Sequence, residues 1–212
     1  MTLPASPAVP ARGVYLITPD EADTARLLTR AAPLLVAGPT WLQYRNKTAS
    51  DALRRKQAQA LQDLCAAHGV PLIINDDPAL ALEVGAAGVH LGGTDGDLKA
   101  ARKKLGRGKL LGASCYDSIE LAYAAREAGA DHVAFGAVYA SGTKPGAVRA
   151  PLDLFRQARP LGLPVVAIGG ITAENAAPVI EAGASAVAVV SDIFEAPDIR
   201  ARARQYAALF NT

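Results

Sequence analysis

An amide and two cations follow the second of several predicted strands, at the point where its apolar run ends. The segment reads Gln43, Tyr44, Arg45, Asn46 and Lys47. In an extended chain alternate residues point to the same side, so the side chains at positions 43, 45 and 47 are expected to face one space. The grouping is either a binding site or a solvated strand exit, and these residues alone leave both interpretations open.

Two acidic residues follow the next two predicted strands. Asn75 and Asp76 come directly after one strand, and Asp95 closes the glycine-containing exit of the other. Because parallel strands end at the same edge of a sheet, Asp76 and Asp95 are predicted to converge on one divalent cation, and oxygen ligands completed by phosphate suit Mg²⁺. Asn75 and Asp76 could instead cap the following helix, although Asp77 fits that role better.

Glycine and hydroxyl residues after later strands indicate anion binding. Gly169 and Gly170 follow the seventh strand, where glycine lets backbone N–H groups approach a phosphate, unless the pair only makes a turn. The run Ser141, Gly142, Thr143 and Lys144 offers two hydroxyls and an ammonium. After the fifth strand, Ser114 either meets a ligand or caps a turn, and Asp117 or Ser118 is the better helix cap.

A repeated unit predicts the elements that position these residues. A glutamate, a small residue and Gly-Ala precede an apolar run in 83–91, 127–135 and 181–190, which reads as a helix capped by glycine and followed by a buried strand. Eight strand–helix units at this length predict a single-domain (β/α)8 TIM barrel, since doubly wound open sheets usually have fewer strands. The predicted strands are 14–17, 41–44, 72–74, 88–91, 110–113, 132–135, 165–168 and 186–190, and the clearest helices are 22–36, 50–67, 118–128, 175–182 and 198–210.

Composition limits the partners and the location. The net charge of +2, with acids and bases interspersed, gives no reason to expect a nucleic acid or a membrane as partner, and small-molecule substrates are expected instead. Only two cysteines occur, at no metal-binding spacing, which is typical of a reduced, cytoplasmic chain. Residues 1–12 are expected to form a loose tail and not a signal peptide, and 13–212 the catalytic barrel. The sequence leaves a homo-oligomer open.

The histidines and the basic clusters are not expected to do chemistry. His68 closes a helix and His132 begins a strand at the end away from the predicted site, so both are interpreted as structural. His90 lies within a strand and is expected to satisfy a hydrogen bond in the core. Arg102, with the two lysines after it, is expected to stay solvated near a helix C-terminus.

Seven motifs, taken in order from about residue 13 to residue 210, resemble those of the thiamine-phosphate synthase family. They are specific as a series, although each is weak alone. The motifs are QYRNK at 43–47, INDD at 74–77, GVHLGGTD at 88–95, GAS at 112–114, SGTK at 141–144, AIGGI at 167–171 and VVS at 189–191.

The resemblance implies a TIM-barrel transferase that uses magnesium. It joins a pyrimidine-methyl diphosphate to a phosphorylated thiazole through a dissociative pyrimidinyl-methyl cation, and releases diphosphate. The resemblance implies three sets of residues: Asp76 and Asp95 as metal ligands; Gln43, Arg45, Asn46, Lys47, Asn75, Ser114 and Lys144 for the pyrimidine diphosphate; and Ser141, Gly142, Thr143, Gly170, Val190 and Ser191 for the thiazole phosphate. Arg45 and Lys144 are the expected catalytic cations.

Two departures from the family pattern and three competing functions accompany this resemblance. Gly93 stands where the family often has glutamine, and Ser141 replaces a threonine. A related thiazole tautomerase resembles this chain but works with a histidine after the sixth strand, where this chain has Ala137. The second competing function is that of a different phosphate-binding barrel enzyme, which does not need the two aspartates. The third is that of a noncatalytic barrel that binds thiamine phosphate.

Overall fold

The computed structural model describes residues 12–93, 96–140 and 148–210, in which eight parallel strands close into a barrel. The strands are β1 (Gly13–Ile17), β2 (Trp41–Tyr44), β3 (Leu72–Asn75), β4 (Gly88–Leu91), β5 (Leu110–Tyr116), β6 (His132–Phe135), β7 (Val165–Ile168) and β8 (Ala186–Val189). The helices are α1 (Thr24–Leu35), α2 (Asp51–His68), α3 (Pro78–Glu83), α4 (Leu98–Leu105), α5 (Ile119–Glu127), α6 (Asp153–Gln157), α7 (Ala177–Ala182), α8 (Ser191–Phe194) and α9 (Ile199–Ala208). Strands pair in chain order, and β8 pairs with β1 to close the barrel. The prediction of a (β/α)8 TIM barrel is confirmed.

Side chains of the strands alternate between two apolar layers. Tyr15, Trp41 and Val166 belong to a cluster formed by the inward-facing strand residues. Leu16 and Leu42, each next in sequence to one of these, belong to the larger layer between strands and helices. Both strand faces are therefore buried, which explains the unbroken apolar runs of the sequence.

Several helices begin where the sequence offers a capping side chain. Asp77 Oδ1 accepts hydrogen bonds from Ala79 N at 3.0 Å and Leu80 N at 2.9 Å, so the prediction that Asp77 caps α3 is confirmed. Ser118 caps α5 through Leu121 N. These caps leave Asn75 and Asp76 unneeded at the helix start.

The glycines of the repeated unit end their helices as the sequence predicts. Gly85, Gly129 and Gly183 follow α3, α5 and α7 with φ of 70°, 90° and 124°. Residues other than glycine rarely adopt these angles, which explains the recurrence of Gly-Ala. These loops lie at the N-terminal ends of the strands, which we call the base of the barrel, and the opposite end is the mouth.

The structure differs from the sequence prediction in a few elements. Helices α6 and α8 were not predicted, because five and four residues carry too little periodicity to detect. Strand β5 extends to Tyr116 with an irregularity after Ser114. The expectation that Arg102 is solvated was wrong, since it bonds to Asp131 and to three backbone carbonyls.

Two further points concern the chain as a whole. Among the described helices, none combines the length and apolar character required to cross a bilayer. Residues 1–11 lie outside the described part of the chain, so the predicted tail stays a prediction.

Candidate active site

Residues at the exit of β2 divide between the inside and the outside of the barrel. Gln43 is buried, and its Nε2 donates to the Tyr15 hydroxyl at 2.7 Å. Arg45 lies further along and pairs with Asp20 at 3.2 Å. Lys47, half exposed, pairs with Asp76 at the end of the neighbouring strand. The predicted grouping of positions 43, 45 and 47 therefore extends from the barrel interior to the mouth.

Asn46 faces the helical layer and not the mouth. Its Nδ2 donates to Glu21 O at 2.7 Å and to Gln57 Oε1 at 3.0 Å, and its Oδ1 accepts from Thr48 N and Ala49 N. Burial together with these bonds gives Asn46 a role in holding the loop between β2 and α2. Its contact with substrate, implied by the resemblance, stays a prediction.

The exit of β3 holds a carboxylate in an unusual backbone conformation. Asp76 has a φ of 63°, in the left-handed region, and its backbone N–H donates to His90 O at 2.9 Å. Asn75 Nδ2 donates to Asp76 Oδ2 at 2.6 Å, and Lys47 contacts the same oxygen. Every hydrogen bond that this carboxylate makes with described residues thus falls on Oδ2.

The exit of β4 is anchored by a tyrosine from β5. The Gly93 N–H donates to the Tyr116 hydroxyl at 3.0 Å. A Cβ at position 93 would lie 2.9 Å from Tyr116 Cε2, so the tyrosine ring fills the space that a side chain at this position would need. Asp95, the second predicted metal ligand, lies outside the described residues.

Ser114, near the end of β5, contacts a buried histidine. Its Oγ lies 3.0 Å from His90 Nε2, and His90 Nδ1 lies 3.3 Å from His132 Nε2. Burial lowers the pKa of His90 to about 4, and the nearby Asp76 carboxylate opposes this only in part. Burial, followed by the proximity of His90, places the pKa of His132 well below its usual value. Both rings are neutral at pH 7.

The expectations that His90 satisfies a core hydrogen bond and that His132 begins its strand at the end away from the predicted site are confirmed, but the sequence did not predict that the two rings meet. His132 begins β6 at the base, yet its ring reaches Ser114 through a single intervening side chain. Sequence reasoning treated each histidine alone. The signal that it missed is Gly112, which the register places between the two histidines.

The ends of β7 and β8 supply backbone groups at a crowded turn. Gly169 and Gly170 have φ of 99° and 62°, and a Cβ on Gly170 would lie 2.3 Å from Ala140 O. Asn175 Nδ2 holds the Gly170 carbonyl at 3.0 Å. Val190 and Ser191 stand at the start of the four-residue α8. The predicted residues Ser141, Gly142, Thr143 and Lys144 lie outside the described residues.

The described mouth thus brings together cations, the carboxylates of Asp20 and Asp76, an amide and a hydroxyl. No group of three or more potential metal-ligating side chains occurs within 12–93, 96–140 and 148–210. Such a set can bind and neutralise an anionic substrate, and Asp76 can contribute an oxygen ligand to a cation that the substrate also binds.

Comparisons with known proteins match this chain to one enzyme family. A family model described as thiamine monophosphate synthase matches residues 14–193. A thiamine-phosphate synthase of Methylobacillus flagellatus is 56% identical over 202 residues, which cover 95% of this chain and 97% of the relative. One of Aromatoleum aromaticum is 56% identical over 201 residues, with 94% and 97% covered. The solved structure of a thiamine phosphate pyrophosphorylase from Pyrococcus furiosus has a TM-score of 0.83 at 28% identity, with 94% and 96% covered.

Proposed function

This chain belongs to the thiamine monophosphate synthase family and is a transferase that forms thiamine phosphate, and we propose that its barrel mouth carries the reaction in the manner described below. The observation that carries the assignment is the 56% identity to thiamine-phosphate synthases across almost the whole chain. That similarity favours the synthase over the tautomerase and over the noncatalytic barrel. The substrates are a pyrimidine-methyl diphosphate and a thiazole phosphate.

The proposed chemistry is a dissociative substitution. The C–O bond between the pyrimidinyl methylene and the diphosphate breaks first, and its electron pair leaves with the diphosphate oxygen. The thiazole nitrogen then donates its lone pair to the pyrimidinyl-methyl cation to form the new C–N bond. The nitrogen carries no proton, so no general base is required, which agrees with the neutral, buried state of His90 and His132.

The negative charge that develops on the leaving diphosphate is the main contribution to the activation barrier of such a reaction. Arg45 and Lys47, at the exit of β2, are proposed to neutralise the departing oxygens together with Lys144. Fixed cations at a site that excludes water stabilise such charge by several kcal/mol. Lys47 is held beside Asp76 at the mouth, which supports this position for it. Asn75 and Ser114 are proposed to orient the pyrimidine diphosphate, with Gln43 inside the barrel.

A magnesium ion is proposed to bind at Asp76 and Asp95. Asp76 fits this role because its carboxylate hydrogen bonds converge on Oδ2, and Mg²⁺ is commonly held by one or two carboxylates and by substrate phosphates. When bound, the ion supplies positive charge to the diphosphate oxygens. Asp76 itself holds Lys47 and Asn75 on one carboxylate oxygen, which fixes the orientation of both groups toward the substrate.

The thiazole phosphate is proposed to bind at the ends of β7 and β8. Gly169 and Gly170 both have positive φ at the end of β7, and backbone N–H groups in a glycine turn of this kind are suited to bind a phosphate. Val190 and Ser191 follow β8 at the same end of the barrel. Ser141, Gly142 and Thr143 complete this proposed site. A cytoplasmic location stays a prediction of the sequence, which leaves the oligomeric state open.

Incubation of the chain with both phosphorylated precursors and Mg²⁺ tests this function. We expect thiamine phosphate and diphosphate to accumulate in equal amounts, measured by chromatography of both products. Conversion of the thiazole phosphate alone would indicate the isomerase. Tight binding of thiamine phosphate without turnover would indicate the noncatalytic barrel, and either result would refute the proposal.

A further inference from the structure

Three neighbouring strands place two imidazole rings at one level of the barrel interior. The register sets His90 of β4 beside Gly112 of β5, and Gly112 beside His132 of β6. A Cβ on Gly112 would lie 2.2 Å from His132 Nε2 and 2.4 Å from His90 Nδ1. Glycine at position 112 therefore leaves the space in which the two rings meet.

A chain of hydrogen bonds runs from this ring pair toward the mouth. His132 Nε2 and His90 Nδ1 are 3.3 Å apart, and His90 Nε2 is 3.0 Å from Ser114 Oγ. Ser114 lies two residues beyond Gly112 on β5, so both face the interior and Ser114 is closer to the C-terminal end. The hydrogen-bond chain therefore ends at the half-buried Ser114 hydroxyl, which belongs to the proposed active site.

The end of this hydrogen-bond chain at His132 sets the direction of its hydrogen bonds. His132 Nδ1 is buried and has no hydrogen-bond partner in the described structure. A buried N–H group without an acceptor is rarer in proteins than an acceptor without a donor, so the proton of neutral His132 belongs on Nε2. From there it is donated to His90 Nδ1, which leaves the His90 proton on Nε2, the nitrogen that faces Ser114 Oγ.

We propose that His132 and His90 are positioning residues that fix the Ser114 hydroxyl as a hydrogen-bond donor to the pyrimidine diphosphate. The serine oxygen accepts from His90 Nε2, so its own proton is directed to an acceptor atom of the substrate. This inference rests on the proposed function, in which Ser114 contacts that substrate. The opposite tautomers would turn the hydroxyl proton back toward His90 and remove the donor from the mouth.

Nitrogen NMR of the full chain with ¹⁵N-labelled imidazoles tests the tautomers without any turnover. The sequence has three histidines, so single His→Gln variants assign every signal. We expect both His90 and His132 to be neutral at pH 7 with the proton on Nε2. A proton on Nδ1 of either ring would overturn the proposal, whether or not the chain makes thiamine phosphate.

Kinetics of two His90 variants test the consequence for catalysis. His90→Gln retains an N–H donor for Ser114 and His90→Met does not. We expect His90→Met to lower kcat/KM for the pyrimidine diphosphate about 10-fold, the effect of one lost hydrogen bond, and His90→Gln to restore most of it. The KM for thiazole phosphate is expected to stay within about twofold of the parent value.

A double variant and a folding control complete the experiment. In a Ser114→Ala background, His90→Met is expected to cost nothing further, because His90 acts through the serine. Equal losses in the Gln and Met variants, or additive losses with Ser114→Ala, would overturn the proposal. Melting curves identify a variant that does not fold, in which case Ser114→Ala has to reproduce the loss by itself. An inactive parent chain would refute the proposed function, and the NMR result would still decide the tautomers.

Discussion

The two ends of the barrel use charged side chains differently. At the base, Arg102 bonds to Asp131 at 2.5 Å and to the carbonyls of Gly106, Lys109 and Gly129, and Asp131 also accepts from Leu111 N. Both members of this pair are less than one fifth exposed. The base therefore matches its charge with protein groups and closes the loops between helices and strands.

At the mouth, charged groups are more exposed and the backbone is strained. The Lys47 side chain is 49% exposed and that of Asp76 is 22% exposed. Within the described residues, the non-glycine positions with positive φ are Asp76, which follows β3, and Tyr116, which is the last residue of β5, and both lie at this end. Strain of this kind gathers at functional sites. The comparison indicates that the base contributes stability and the mouth contributes chemistry, so variants at the two ends should fail in different ways.

Removing the Asp76 charge is expected to have the largest effect. Asp76→Asn keeps the shape and tolerates the left-handed φ, but it removes the charge proposed to hold the cation. We expect kcat/KM to fall by about 10²–10⁴-fold, measured by diphosphate release, while the melting temperature changes little.

The matched control for that variant is Asp63→Asn, which removes the same charge from the exposed face of α2. Its turnover is expected to equal that of the parent. Activity of Asp76→Asn within threefold of the parent would break the assignment of chemistry to the mouth.

The histidine pair between the two ends should make stability depend on pH. Unfolded imidazoles bind protons below about pH 6.5, whereas burial holds the pKa of His90 at about 4. The unfolded state therefore binds more protons in this interval, and the free energy of unfolding should fall as the pH drops from 6.5 toward 4. This lowering of the His90 pKa corresponds to a change of about 3 kcal/mol in the free energy of unfolding. Urea unfolding at several pH values measures it.

His90→Gln removes one of the two titrating groups and should flatten that pH dependence. The free energy of unfolding of the parent and of the variant is compared at pH 7, where the imidazoles are neutral in both the folded and the unfolded state, and again near pH 4.5, where the unfolded imidazoles are protonated. The same slope in both proteins would show that acid instability arises elsewhere.

Arg102→Met should destabilise the base of the barrel without lowering the activity of the mouth. The variant keeps the packing of the stem and leaves Asp131 with the Leu111 N–H as its remaining partner from this set. We expect the free energy of unfolding to fall by about 2 kcal/mol, with turnover per folded molecule unchanged.

Arg126→Met serves as its control, because Arg126 pairs with Glu127 on the exposed surface of α5. Exposed pairs of this kind contribute about 0–1 kcal/mol, so chemical unfolding should scarcely change. If the free energy of unfolding fell equally in the two arginine variants, the interpretation that the buried ion pair at the base stabilises the fold more than an exposed pair does would be refuted.

The smallest expected effect is at the Tyr116 hydroxyl, which holds the exit of β4. Tyr116→Phe removes the acceptor of the Gly93 N–H and keeps the ring. The loss of one hydrogen bond is worth about 1 kcal/mol, so the KM for the pyrimidine diphosphate or for Mg²⁺ should rise about fivefold with little change in stability. An unchanged KM for both would mean that this tyrosine does not position the loop.

Much of the fold could be predicted because its determinants are local. Apolar runs mark the strands, Asp77 and Ser118 mark helix starts, and Gly-Ala marks helix ends. Each of these signals lies within a few residues of the element that it specifies. The helices that were missed, α6 and α8, are too short to show a period.

The site was less predictable because its contacts depend on register between strands. The alternation at 43, 45 and 47 is local and could be predicted, yet the partner of Lys47 lies on β3. The contact between His90 and His132 requires the alignment of three strands, and Arg102 meets its carbonyls only after α4 packs against the base. No spacing within one segment carries that information.

The rate of diphosphate release as a function of free Mg²⁺, in the parent chain and in Asp76→Asn, tests most directly whether the mouth carries the chemistry. We expect saturable metal dependence in the parent and a large rightward displacement or loss of it in the variant, with thiamine phosphate formed in step with diphosphate. Undiminished release from the parent after exhaustive chelation, or identical metal dependence in the two proteins, would contradict the role assigned to the mouth.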